Sequence, residues 1–496
     1  VRALRALGAP AAVSTRPWVR GIPREGEHPP NMSQIPVSSS SIGMSARAAQ
    51  RSNPGHAFRY EGYELDASSN RLVCHYALGT QPFIELIEFD PGGDWGSAAV
   101  HGAARLVFLL SGISYYKAQA PLVVDLGDTA VTAAELELLR AFYVHGLGEL
   151  AYRNGIDLSN IEFRLRSEPT GQVAEGGAVA RRIARPLVPF GGGIDSIVTV
   201  ETIKRRIGDT TLFVASQGGI RFQAIEAAAA VSGLPIRRAD RSMDEKILRS
   251  EEFGFLRGHV PVTGILSAIA VMAAALHGHD AVVMSNEWSA SEGNLVVDGQ
   301  SINHQYSKSA SFEVAFRRAL HSAIGDAIAY FSLLRPFSEL RVAQRFAELD
   351  AYHRVFHSCN RAFRVDPHRR LEHWCGECDK CCFIDLILSP FLGAAQLDAI
   401  FDGLEPLTRP ALRNRFQRLL GTAPGGKPFE CVGAVAECRA ALQLCAARPD
   451  RAQNLFVQSL LEELPDRLSP KEIERLLAPF NEHWLPDGFA TEDFLG

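Results

Sequence analysis

The sequence has no basic excess: 51 Lys and Arg stand against 56 Asp and Glu, for a formal net charge of −5. A domain that grips a phosphodiester backbone carries a clustered basic surplus, so the expectation is no nucleic-acid partner, tRNA included. Long uninterrupted apolar runs are also lacking. The nearest approach, VPVTGILSAIAVMAAALHG at 260–278, is broken by Pro261, Thr263, Gly264 and Ser267 and runs at once into the strand-like DAVVMSN. It is short for a bilayer span and reads as a helix buried against a sheet. The N-terminal stretch has no continuous apolar segment of the kind a secretion signal requires. Nine cysteines without such a signal argue against a disulfide framework. The expectation is a cytoplasmic protein with no membrane partner.

What is present describes a folded chain of more than one domain. Hydrophobic residues make up 46% and charged residues 22% of 496, ordinary values for a globular protein with sizeable cores. Residues 1–55 differ, being rich in Arg, Ala, Pro and Ser with few acids; they read as a disordered or mis-started tail, with Met32 or Met44 nearer a true start. From His56 the runs AFRYEGYELD, RLVCHYAL and FIELIEFD, separated by turn formers, predict an antiparallel meander, followed by helical patterns to about residue 180. This is an N-terminal α+β domain spanning 56–180. Over 185–345 strand and helix signals alternate, which predicts an α/β fold with a doubly wound parallel sheet. A cysteine-rich segment follows at 346–392, and 393–496 reads as helices, among them one capped by Ser469 with Pro470 and Glu472.

The stretch PLVPFGGGIDSIVTVE, residues 186–201, is strand, glycine loop and helix. A P-loop needs Lys and Ser or Thr directly after its last glycine, and Ile194, Asp195 and Ser196 stand there instead. The dinucleotide fingerprint needs spaced glycines, whereas Gly191, Gly192 and Gly193 are contiguous. The loop resembles the pyrophosphate-loop (PP-loop) ATPase signature Ser-Gly-Gly-x-Asp-Ser, complete from Gly192 to Ser196 and with Gly191 in the place of the first Ser. Backbone N–H groups at a helix start bind anions, but an Asp beside a polyphosphate repels it unless a divalent cation intervenes, so Mg²⁺ is expected with ATP. The resemblance implies adenylation, with AMP and pyrophosphate as products. In doubly wound sheets ligands sit at the carboxyl ends of strands. That adds Ser216 and Gln217, at the end of TTLFVAS, to the nucleotide-binding candidates.

Five of the cysteines gather in HSCN and HWCGECDKCCF. Cys359, Cys375, Cys378 and Cys381 match a closed, tetrahedral, structural Zn²⁺ site, with Cys382 a spare beside the fourth and Gly376 permitting a knuckle. The competing reading is thiol exchange or sulfur transfer through C-x-x-C. Cys74, Cys431, Cys438 and Cys445 read as buried thiols. The knuckle behind a PP-loop resembles the cyano-deazaguanine synthases, from which the chain departs in its long N-terminal domain, its helical extension and a wider gap before the cysteine triplet.

The polar stretch SNEWSASEGNLVVDGQSINHQYSKSASFE, 285–313, follows the last of the predicted strands and reads as a substrate site. Together EWSASEGN, NHQYSKS, CGECDKCCFIDLILSPF, PFECVG and HGLGELAYRNGI resemble the MurL family, epimerases acting on UDP-N-acetylmuramoyl-L-alanyl-L-glutamate. The resemblance implies conversion of the terminal L-glutamate to D-glutamate for peptidoglycan synthesis, with ATP consumed and the substrate supplied by an L-glutamate-adding muramoyl ligase. The chemistry is coherent. Removing the α-proton beside a free carboxylate would create a dianion, whereas an acyl-adenylate has lost that charge and its α-proton is far more acidic. Proton transfer requires groups within hydrogen-bond reach and tuned towards operating pH. His304 and Lys308 are the first candidates, Tyr306 and Glu287 the next. Two rival readings remain at this stage: a PP-loop ligase or nitrile-forming synthase in which ammonia attacks the adenylate, and a zinc-stabilised nucleotide sensor.

Overall fold

The computed structural model describes residues 56–171, 182–297, 299–364 and 366–489; the tail expected at 1–55 lies outside the described residues. The expected meander is β1 (Phe58–Asp66), β2 (Arg71–Leu78) and β3 (Gln81–Phe89), paired antiparallel in sequence order. The short strands β4 (Val123–Asp125) and β5 (Glu162–Arg164) extend it by parallel pairing beyond β1. The second half contributes β6 (Pro186–Pro189), β7 (Thr211–Gln217), β8 (Ile236–Ser242), β9 (Ala281–Met284) and, after the small hairpin β10 (Leu295–Val297) and β11 (Gln300–Ile302), β12 (Ala329–Ser332).

Ten strands form one sheet in the order β12-β9-β6-β7-β8-β3-β2-β1-β4-β5. The run β12 to β8 is wholly parallel, and β3 joins it by antiparallel pairing with β8, so the two halves share a continuous sheet. At that seam Arg241 donates from Nε and Nη2 to the two carboxylate oxygens of Glu85, each at 2.9 Å, both groups being buried. A bidentate pair of this kind is specific in geometry as well as favourable in charge, and it fixes the register of the junction.

Successive side chains of a strand point to opposite faces. Here they enter two separate cores. Leu187, Phe213, Val282 and Tyr330 join the aromatic cluster of the meander with the helices Ala98–Ser111, Val262–His277 and Ala310–Ile324. Val188, Leu212, Val214, Val283 and Phe331 join the helices Ile194–Lys204, Glu339–Phe346, Asp379–Leu388 and Val435–Ala446 on the other face. Near-continuous apolar strands are the mark of a parallel sheet covered on both sides. The segment Val262–His277 is a core helix, as the sequence indicates. One other helix, Ala98–Tyr116, is long and apolar enough to cross a bilayer, but 78% of its apolar window is buried inside the protein. The C-terminal region is helical, and Ser469 caps Pro470–Leu477 reciprocally with Glu472, as expected.

Candidate active site

Strand β6 lies between β7 and β9, so the chain reverses its direction of winding there, and the glycine loop stands at that point. Gly193 caps the helix Ile194–Lys204 without any side-chain hydrogen bond, which leaves the first N–H groups of the helix for an anion. Gly192 has φ +74°, and a Cβ there would lie 2.7 Å from the carbonyl oxygen of Ala224, so the position excludes a side chain on two counts. Gly193 is tight against Ser358 Oγ, whereas Gly191 faces open space. Ser196 turns its hydroxyl inward, donating to Gly193 O at 3.0 Å. Ser216 and Gln217 close the adjacent strand β7.

Three carboxylates converge beside the loop. Asp195 follows β6, Glu287 follows β9, and Glu339 opens the helix after β12, so they descend from the ends of three neighbouring strands. Their facing oxygens lie within 4.8 Å of one another. Asp195 Oδ1, Glu287 Oε2 and Glu339 Oε2 are buried and accept no hydrogen bond. Burial, then the charge of Glu287, pushes Asp195 up to about 6 against the pull of Lys308 and Lys380. Burial, then Asp195 and Glu287, pushes Glu339 well above the carboxylate range. Orphaned buried oxygens are rare, and a set of hard oxygen donors with clustered negative charge is what a divalent cation takes.

The polar stretch after β9 is held from beneath by Arg335. Its fully buried guanidinium donates to Glu287 O and Lys308 O, each at 2.7 Å, and from Nε to Glu313 Oε2 at 2.9 Å. The stretch is also latched to the C-terminal region. Asn294 receives His304 N at 2.8 Å on its side-chain oxygen and donates to Pro428 O at 2.6 Å, while Gln305 Nε2 donates to Val432 O at 3.3 Å. Lys380, from the cysteine segment, donates to Cys431 O at 2.5 Å.

These latches bring together residues far apart in the chain. His304 Nδ1 meets Glu149 Oε2, and Glu149 Oε1 receives Arg153 Nε at 2.5 Å. His259 packs its ring over His304 with centroids 4.0 Å apart. Burial pulls His304 down, but its hydrogen bonds with Cys431 and Glu149 outweigh this and raise it to about 9. Burial would raise the Cys431 thiol, but Lys308, the bond with His304 and Lys380 together bring it down to about 7. Lys308 is disfavoured as a cation by burial and restored above its ordinary value by Cys431, Glu287, Asp195 and Glu339. Lys308 thus interacts with both the carboxylates and the thiol. Tyr306 sits apart: its ring packs between His145 and Phe312, and burial pushes its hydroxyl up to about 12. Ser309 is a helix cap, accepting from Phe312 N at 3.2 Å.

Cys359, Cys375, Cys378 and Cys381 gather with every sulfur within 4.8 Å of the others, and three of the separations are 4.0, 3.6 and 3.4 Å. Tetrahedral Zn–S bonds of 2.3 Å place sulfurs about 3.8 Å apart, so the cluster fits that ion. Gly376, with φ +63° and a virtual Cβ 2.5 Å from Leu404 O, makes the knuckle turn. The cluster also supports the glycine loop, because His357 N donates to Gly192 O at 3.2 Å.

Of the sequence candidates, the structure gathers the loop, Asp195, Glu287, Lys308 and His304 into one connected group of side chains. Glu149, Glu339 and Cys431 were missed. Two of them left a trace: Cys431 inside the quoted PFECVG, where it was read as a buried thiol, and Glu149 inside the quoted HGLGELAYRNGI, where it was given no role.

Comparisons agree in one direction. Residues 49–333 match the MurL N-terminal domain and residues 355–475 the MurL C-terminal domain. The UDP-N-acetyl-alpha-D-muramoyl-L-alanyl-L-glutamate epimerase of Xanthomonas oryzae pv. oryzae is 36% identical over 438 residues, covering 86% of this chain and 95% of the relative. The protein of the same name from Salinispora tropica is 38% identical over 423 residues (83% and 89%). That from Micromonospora sp. is 36% identical over 447 residues (88% and 97%).

Proposed function

We propose, because the chain belongs to the MurL family, that it is an ATP-dependent epimerase inverting the terminal L-glutamate of UDP-N-acetylmuramoyl-L-alanyl-L-glutamate for peptidoglycan synthesis. Its substrate would come from an L-glutamate-adding muramoyl ligase, and the cytoplasm, where such nucleotide precursors meet ATP, is its compartment. The observation that carries the nucleotide part is the convergence of three orphaned carboxylate oxygens beside a glycine-capped helix start.

Asp195, Glu287 and Glu339 would hold Mg²⁺, which when bound neutralises their mutual repulsion and lets a polyphosphate approach. Gly192 and Gly193 present backbone N–H groups to the outer phosphates, as in PP-loop ATPases, so the substrate carboxylate meets the α-phosphorus and pyrophosphate leaves. The product is an acyl-adenylate. Lys308 faces both the cation site and the proton-transfer cluster of His304, Glu149 and Cys431, and would serve as an acid beside the α-carbon. Glu287 is a cation ligand in this reading, and Tyr306 shapes the wall. The Cys₄ cluster would hold structural Zn²⁺. Hydrolysis of the adenylate releases the D-epimer.

Chiral analysis of glutamate after incubating the protein with ATP, Mg²⁺ and the UDP-muramoyl dipeptide tests the reading. D-Glutamate with AMP and pyrophosphate is expected, and Asp195→Asn should abolish pyrophosphate release. ADP with orthophosphate as the spent products, or inversion without nucleotide, would overturn it.

A further inference from the structure

Glu149, His304 and Cys431 form a chain whose members are 155 and 127 residues apart in sequence. Its connectivity assigns roles. Glu149 is engaged on both oxygens, by Arg153 and by His304 Nδ1. His304 faces Glu149 through Nδ1 and also bonds the Cys431 thiol, which leaves Nε2 for the sulfur and no free lone pair on the ring. The sulfur ends the chain. Cys431 keeps partial exposure as a residue while its thiol is enclosed by Lys308, Lys380 and His304, and Lys380, which donates to its carbonyl, keeps the segment in place.

A thiol beside an imidazolium and ammonium groups ionises readily. Around Cys431 the charged groups are Lys308, Lys380 and His304, with Glu149 and His259 behind the imidazole. The thiol is brought down to about 7 and the imidazole held up at about 9, so at neutral pH the imidazole is a cation and about half of the thiol is ionised beside it. An imidazolium cannot take a proton; a thiolate can.

We propose that the Cys431 thiolate is the base that removes the α-hydrogen of the activated glutamyl residue, with His304 and Glu149 as the positioning residues that hold it. The inference rests on the adenylation reading above. The sulfur takes the α-hydrogen as a proton and becomes a thiol, while the C–H electron pair moves onto the acyl oxygen to give an enolate. The Lys308 ammonium returns a proton to the opposite face of the α-carbon. Its neutral amine then recovers a proton from the Cys431 thiol, which restores both groups and balances the cycle.

The test follows deuterium entering the glutamyl α-carbon in D₂O, in parallel with pyrophosphate release, using ATP, Mg²⁺ and the UDP-muramoyl dipeptide. In Cys431→Ser, exchange and inversion should fall roughly 10²–10⁴-fold, the range for a lost general base, while pyrophosphate is still released. Exchange at the wild-type rate in that variant would overturn the assignment and leave adenylation standing. Absence of nucleotide-dependent pyrophosphate in the wild-type protein would instead overturn the adenylation reading. Alkylation of the wild-type protein by iodoacetamide, mapped to Cys431, gives a check that needs no variant. Its rate should rise with a midpoint near pH 7, and Glu149→Gln should move that midpoint upward because His304 then holds its proton less well. A midpoint at the ordinary thiol value in the wild type, or a glutamyl thioester trapped on Cys431, would reject the base role.

Discussion

Arg335 donates from Nη1 to the carbonyl oxygen of Glu287 at 2.7 Å, tying one of the three clustered carboxylate residues to a buried guanidinium. The same group donates to Lys308 O and pairs with Glu313, so one side chain sets the positions of two site residues. Breaking a buried pair from one side leaves an uncompensated charge. Arg335→Met should cost about 3–5 kcal/mol in chemical denaturation. Arg335→Met with Glu313→Gln should recover part of that stability without recovering epimerisation, because Glu287 and Lys308 lose their common anchor.

If the carboxylate cluster holds a divalent cation as proposed, its binding should depend on pH. Asp195 is pushed up to about 6 and Glu339 is pushed well above the carboxylate range, so bound protons compete with the ion increasingly as pH falls. Mn²⁺ or Mg²⁺ affinity should therefore weaken as pH falls through about 6, with protons released on binding. Calorimetry in two buffers of different ionisation enthalpy checks both. Glu339→Gln should weaken the ion at every pH.

Two neighbouring glycines should respond differently to alanine. Gly192 has positive φ and no room for a Cβ, so Gly192→Ala should lose about 1–2 kcal/mol from the backbone alone, and more from the contact with Ala224. Gly191 faces open space, so Gly191→Ala should leave the melting temperature nearly unmoved. Differential scanning fluorimetry of the two variants decides the point.

Metal removal should reach the nucleotide. His357 donates to Gly192 O and Ser358 lies against Gly193, two residues and one residue before Cys359. Stripping the cysteine site with a chelator, or Cys375→Ser, should release about one zinc per chain. It should also raise the KM for ATP. Elemental analysis alongside pyrophosphate kinetics measures both, and unchanged ATP kinetics in a metal-free, folded protein would show the knuckle and the loop to be independent.

Much of this molecule is written locally. Apolar patterning marked β1 to β3 and β6 to β9, because a strand's burial pattern repeats within a few residues. The loop at Gly191–Asp195 and the cysteine spacing were legible for the same reason: each is a short segment whose geometry depends on its own residues. The three-residue strands β4 and β5 carry too few residues to leave a pattern, and β12, though as long as β6 and β9, lies beyond the polar stretch taken to follow the last strand; all three went unread.

The sequence by itself determined a glycine-capped helix start, a carboxylate at that helix start and a cysteine array with the spacing of a knuckle, since each is set by residues close along the chain. Tertiary structure alone decided that Glu339 would complete the carboxylate set and that Glu149 would face His304 across 155 residues with Cys431 beyond it. Those meetings depend on β3 pairing with β8, on three strand ends lying side by side, and on Asn294 and Gln305 holding the segment 428–432. No single stretch encodes them, because the charge and hydrogen-bond partners that give each group its chemistry come from different parts of the chain.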